Sequence, residues 1–152
     1  MAKNINPRYT VTGDVTTNGD LSTSGVMGAS LTTATGDFTG ASANHGLVFT
    51  ADADNGSRLV GIHFEPLGTN VQTVARIYTN NGGANTTAAN NGYVASVTLT
   101  ATTSSNSASF GGIDFYFSGG AIDLPAGFRI YAGLGTTVAS GWVATPILGG
   151  KF

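Results

Sequence analysis

The chain has no cysteine, only two histidines and one tryptophan, and just 9% of its 152 residues are charged. Without cysteine there is no disulfide framework. Two histidines and scattered carboxylates provide no converging partners for zinc or for a Ser/His/Asp relay, and no HExxH, G-x-S-x-G or Walker phosphate loop occurs. The chain is therefore expected to be no enzyme and to carry no cofactor or metal. The cations Lys3, Arg8, Arg58, Arg76, Arg129 and Lys151 form no run, and the net charge is -2. Nucleic-acid binding needs clustered cations to displace counterions, so no nucleic-acid partner is expected. No segment approaches the ~18 apolar residues of a spanning helix, and the N-terminal MAKNINPRYT lacks the apolar stretch of a signal peptide. No membrane partner is expected either.

What is present is uncharged polarity. Thr, Ser, Asn and Gly must supply the solvated surface, and the 23 glycines are about twice the usual share of roughly 7%. Glycine at that level marks turns and close backbone approaches and argues against long helices. Between Tyr9 and Phe38 there is no other aromatic, and no Lys or Arg occurs from Tyr9 to Asn44. The triplets Gly13-Asp14-Val15, Gly19-Asp20-Leu21 and Gly36-Asp37-Phe38 are each followed by Thr or Ser. This predicts an extended N-terminal arm over residues 1–44, too poor in large apolar residues to fold alone, and either ordered by pairing with another surface or a flexible polar arm.

From residue 45 to 152 the pattern predicts a single β-sandwich domain. Val60, Ile62 and Phe64 alternate with Gly61, His63 and Glu65, and Tyr93, Ala95, Val97 and Leu99 alternate with hydroxyl residues. Ile113, Phe115 and Phe117 alternate likewise, and Trp142, Ala144 and Pro146 follow. Such period-two runs, punctuated by turn residues every ~8–12 positions, indicate an all-β, jelly-roll-like sandwich. Residues 80–92 and 102–107 read as loops, the first long enough to suggest function or mobility.

Four features are candidates for a site. Asp52-Ala53-Asp54-Asn55-Gly56 resembles a calcium loop, but Asn55 and Gly56 come one position early and no late Glu follows, so an Asn-Gly turn explains it. His63 and Glu65 share one face of a strand, where a hydrogen-bonded structural histidine is expected. Arg76 and Arg129 sit mid-strand beside tyrosines and need an aromatic face or a carboxylate, with Asp114 and Asp123 as possible partners. Trp142 is expected inside the sandwich. The expected interface residues are Tyr9, Val11, Val15, Leu21, Phe38, Arg76, Tyr78, Tyr116, Arg129 and Tyr131.

The turns Pro66-Leu67-Gly68-Thr69-Asn70 and Leu124-Pro125-Ala126-Gly127, with Arg76-Ile77-Tyr78, Leu134-Gly135-Thr136-Thr137 and Gly141-Trp142, carry a resemblance over roughly residues 47–150. In them the chain resembles small structural proteins of tailed-bacteriophage virions. The resemblance implies a virion component assembled in the bacterial cytoplasm. The expected role is a capsid decoration protein, binding the major capsid protein or other virion proteins as a homo-oligomer, a trimer above all. The alternative is a trimeric tail-fibre or receptor-binding tip that recognises a host glycan or protein.

Overall fold

The alternating runs close into facing antiparallel sheets, because each run has one apolar side that only a second such side can cover. The computed structural model describes residues 8–9, 28–36, 38, 40–147 and 150–151, the first and last pairs by backbone alone. The first strands are β1 (Arg8–Tyr9), β2 (Ala29–Leu31), β3 (Gly46–Thr50), β4 (Ser57–Leu59), β5 (Gly61–Pro66), β6 (Thr69–Asn70) and β7 (Thr73–Asn80). They continue with β8 (Asn91–Leu99), β9 (Thr102–Thr103), β10 (Ile113–Tyr116), β11 (Ile122–Leu124), β12 (Arg129–Leu134), β13 (Trp142–Ile147) and β14 (Gly150–Lys151). Among the described residues a 3-10 turn, Ala88–Asn90, interrupts them.

One sheet has the order β3-β12-β7-β8 and the other β10-β5-β13-β2, with a third set ordered β1-β14-β4-β11. The third set continues the second. Gly150 lies opposite Arg58 in the same register that sets Trp142 opposite Pro66, so β4 with β5, and β13 with β14, act as two long strands. On the other flank, β10 and β11 both pair with this long strand, and residues 117–121 bulge out opposite Val60. Counting β4–β5, β10–β11 and β13–β14 as one strand each, and leaving out the two-residue β1 and the separate β6–β9 pair, the sandwich has eight strands, β2 being the first. Numbered along the chain, they run 1-8-3-6 in one sheet and 2-7-4-5 in the other.

The core lies between these sheets. Leu31, Ile62, Phe64, Ala144 and Trp142 from one face meet Val48, Ala75, Ile77, Leu99, Ile130, Ala132 and Leu134 from the other in one buried cluster. Trp142 is fully buried, as expected from its place in the alternation.

The boundary expected at residue 44 is corrected. β2 pairs with β13, Trp142 opposite Leu31, so the sandwich begins by residue 29. The connection from β2 to β3 then crosses the outer face of β12 and β7 as a strap. Thr35 donates its backbone N–H to the Leu134 carbonyl at 2.8 Å, and the His45 ring stacks on Tyr78 at 4.7 Å. Gly40, at φ +76°, lies so close to the Tyr78 ring that any Cβ there would strike it. The strap belongs to the domain because it buries Tyr78, His45 and Thr35.

A short ribbon, β6 with β9, closes one end, and its anchor is a single amide. Asn70 is buried and its Oδ1 accepts the N–H of Gly141 at 2.8 Å and of Ser140 at 3.0 Å, while Nδ2 donates to the Gly141 carbonyl at 3.0 Å. The side chain thus stands in for a strand partner at the N–H of Gly141, the residue before Trp142, and the Gly141 carbonyl also accepts the Leu67 N–H at 3.0 Å.

Candidate functional site

On the outer face of β5, opposite the core-facing Ile62 and Phe64, His63 stands between two carboxylates. Its Nδ1 is 2.6 Å from Asp114 Oδ1 on β10, directly across the pairing, and its Nε2 is 3.1 Å from Glu65 Oε2. The hydrogen bond to Asp114 raises the His63 pKa above 6.5 and Glu65 adds to it, against a smaller opposing effect of burial. A neutral imidazole has one ring nitrogen without a proton, which would face a carboxylate lone pair. The pocket for the ring exists because residue 112 is glycine: a Cβ there would collide with His63 and Glu65. Tyr116 Oη reaches the other Asp114 oxygen at 3.4 Å. With carboxylates at both ring nitrogens, the arrangement holds a cation between strands rather than relaying a proton to a nucleophile.

Arg58 on β4 and Asp123 on β11 are also paired. Arg58 Nε and Nη2 donate to the two Asp123 oxygens at 2.6 and 2.8 Å, and this holds the Asp123 carboxyl below its usual value of 3.8. Asp114 and Asp123 therefore serve His63 and Arg58, a correction to the expectation that they pair with Arg76 and Arg129. The Asp52 loop is a capped turn. Asp52 Oδ1 accepts the N–H groups of Asp54 at 3.0 Å and Asn55 at 2.8 Å, an arrangement of donors that a cation would displace. Among the described residues no cluster of three or more His, Asp or Glu side chains is arranged to hold a metal ion.

No family model, curated protein or solved structure matches this chain. What it can bind must be read from its own surface.

The second candidate surface lies on the outer face of β7 and β8, where the middle of the strap passes. The Arg76 guanidinium sits 4.1 Å over the Phe38 ring, and Phe38 meets Tyr93 edge-on at 5.8 Å. Phe38 is 64% exposed and Tyr93 46%. Arg76 thus finds the aromatic face expected of it, supplied by the strap. Tyr93 in turn contacts Tyr78 at 5.6 Å.

Of the other expected interface residues, Tyr116 is exposed and Arg129 half-buried at the start of β12. Tyr78 and Tyr131 are buried within the chain, so neither is available to a partner, a correction with a plain cause: the strap covers Tyr78, and Tyr131 sits opposite it on β12. Val11, Val15 and Leu21 lie outside the described residues, and Tyr9 is described by backbone alone, in its pairing with Gly150.

The loop at residues 80–92 is held by its own amides. Asn80 donates to Asn91, Asn81 to Asn90, Asn85 to the Ser42 carbonyl, and Asn91 Nδ2 lies within 3.2 Å of the carbonyls of Gly40, Asn85 and Thr87. These amides tie the loop to the strap, so they are not offered to a ligand. The sequence reading missed that network and also a cleft of about 240 Å³ between the two sheet edges. The cleft is lined by Val94, Ala95, Phe115, Phe117, Ala121 and Ile122. Its one sequence signal was the pair of alternating apolar runs in β8 and β10.

Proposed function

We propose that this chain is a structural protein of a bacteriophage virion, acting as a capsid decoration protein that binds the shell as a symmetric oligomer. The observation that carries this reading is how polar and apolar groups are distributed over the surface. The charged side chains on β4, β5, β10 and β11 are engaged with one another, Arg58 with Asp123 and His63 with Asp114 and Glu65, whereas Phe38, Leu67, Val71, Tyr93 and Tyr116 stand exposed. Large apolar and aromatic side chains left in water, two of them on strands and three on the segments between strands, suit docking to protein, because their burial is the main gain of association. The strand order 1-8-3-6 facing 2-7-4-5 supports reading the sandwich as a jelly roll, an architecture shared by capsid and lectin domains.

The same exposed tyrosines favour one other reading, a fibre or receptor-binding tip that stacks a host glycan on Tyr93 or Tyr116. Copy number separates the two. Quantitative mass spectrometry of purified particles carrying this chain is expected to count it at shell stoichiometry, on the order of hundreds per particle, each held by repeated weak contacts. A count of about a dozen would instead favour the tip, and absence from washed particles would end both readings.

A further inference from the structure

Among the described residues, nothing pairs with the outer edge of β8, the last strand of the β3-β12-β7-β8 sheet. Among the described residues the other edges of the two facing sheets are protected. β10 and β11 carry Asp114 and Asp123, β2 is three residues long, and every residue of β3 is buried or half-buried. β8 has nine residues, no charge and no proline, and most of its length is exposed. An edge of that kind has unpaired N–H and C=O groups and none of the devices that normally deter pairing, apart from one bulge. The bulge lies at Val94, where Ile77 faces Ala95 but Tyr78 faces Tyr93. It leaves Ala95–Ser96–Val97–Thr98–Leu99 as a regular five-residue stretch.

That stretch reads the same in both directions. Ala95, Val97 and Leu99 turn to the core, and Ser96 and Thr98 turn outward. Set antiparallel to itself about Val97, it places Val97 against Val97, Ser96 against Thr98 and the small Ala95 against the large Leu99. Each hydroxyl then meets a hydroxyl and each apolar group an apolar group, on the same face of the combined sheet. No like charges oppose across the seam. We infer that β8 docks on β8 of a second copy, antiparallel about a two-fold axis, joining two four-stranded sheets into one of eight strands. Such a contact is isologous and closes on itself, in place of the three-fold arrangement expected from the sequence. The inference concerns the purified chain and does not rest on the virion reading.

The test is sedimentation velocity of the full chain across a concentration series up to ~100 μM, a range that captures micromolar association. The wild type is expected to sediment as a dimer that dissociates on dilution. The double variant Ser96→Lys/Thr98→Lys sets lysine against lysine twice across the seam and is expected to be monomeric at every concentration. Mixed one to one with Ser96→Glu/Thr98→Glu, it is expected to form a heterodimer, because each lysine then faces a glutamate. Circular dichroism checks that both variants fold. Hydrogen exchange in the unaltered chain gives an independent reading, with amides of residues 95–99 protected at high concentration and exchanging when dilute. A wild type that stays monomeric, an oligomer that survives the lysine variant, or exchange at 95–99 that ignores concentration would overturn the inference.

Discussion

Across the β5–β10 pairing, His63 Nδ1 lies 2.6 Å from Asp114 Oδ1, and this bond ties the edge strand of the sheet to its interior. The strongest influence on His63 is that carboxylate, and it raises the histidine pKa. A histidine whose pKa is higher folded than unfolded stabilises the fold fully below the unfolded value of about 6.5 and loses that contribution as pH rises through the folded value. Both side chains are more than a third exposed, so solvent screening limits the effect to the order of 0–1 kcal/mol. Thermal melts of wild type and His63→Gln are expected to differ at pH 5.5 and to converge toward pH 9. Melting curves whose separation does not change with pH would contradict the assignment.

The opposite sign is expected at acid pH. Asp123, held down by Arg58, stabilises above its unfolded value near 3.8 and loses that contribution as pH falls through the folded value. Because this pair is also largely exposed, the expected cost of Arg58→Gln at pH 7 is small, within about 1 kcal/mol, and it should shrink below pH 3. Denaturant midpoints at the two pH values measure it.

Asn70 is expected to be far less tolerant. It is buried, and its amide supplies the acceptor for the Gly141 N–H and one of two donors to the Gly141 carbonyl, the other being Leu67 N–H. Asn70→Ala strands the Gly141 N–H, at about 1–3 kcal/mol for a buried unsatisfied group, while the Gly141 carbonyl keeps the Leu67 N–H. Asn70→Asp keeps the shape and the acceptor but turns an oxygen toward the Gly141 carbonyl, so it should also destabilise. Urea denaturation of both variants, beside a surface control such as Ser107→Ala, checks this. Wild-type stability in Asn70→Asp would show that the Nδ2 donor contributes nothing.

These residues show how far the sequence could be read. The strands were legible because burial is imposed locally: Ile62 and Phe64 alternate with His63 whatever lies beyond them. The partners were not legible, since a carboxylate's neighbour depends on register between distant strands. Asp114 meets His63 only because β10 pairs with β5 where Ile113 faces Phe64. Tyr78 misled for the same reason. It alternates outward as a surface residue should, and only the strap, from a segment that reads as a flexible arm, covers it. The asparagines of residues 80–92 have the composition of a mobile loop, and their order comes from amide pairing that composition does not encode.

Gly40 tests the strap directly. Its φ of +76° and its contact with the Tyr78 ring leave no room for a Cβ. Gly40→Ala therefore adds a left-handed backbone cost of roughly 1–2 kcal/mol to a collision with a buried ring. The expected result is a strap that lifts locally while the sandwich persists. Hydrogen exchange should quicken at the Thr35 amide, which bonds Leu134, and tyrosine fluorescence should report Tyr78 entering water. Unchanged protection at Thr35 would mean that the strap is not held at this point.

Phe38 and Arg76 permit the complementary experiment on the exposed side. The ring shields one face of the guanidinium but is itself 64% exposed, so the contact is expected to contribute about 0.5–1 kcal/mol to stability, the range for cation–π pairs at exposed sites. Phe38→Ala should shift the thermal midpoint by only ~1–4 °C for a chain of this length. Phe38→Tyr should preserve it, because a phenol ring keeps the π face over which Arg76 sits. If Phe38 also serves a docking surface, its truncation should weaken particle binding far more than it weakens the fold. Comparing the melt with co-sedimentation on purified shells separates the two contributions, and equal, small losses in both would remove Phe38 from the interface.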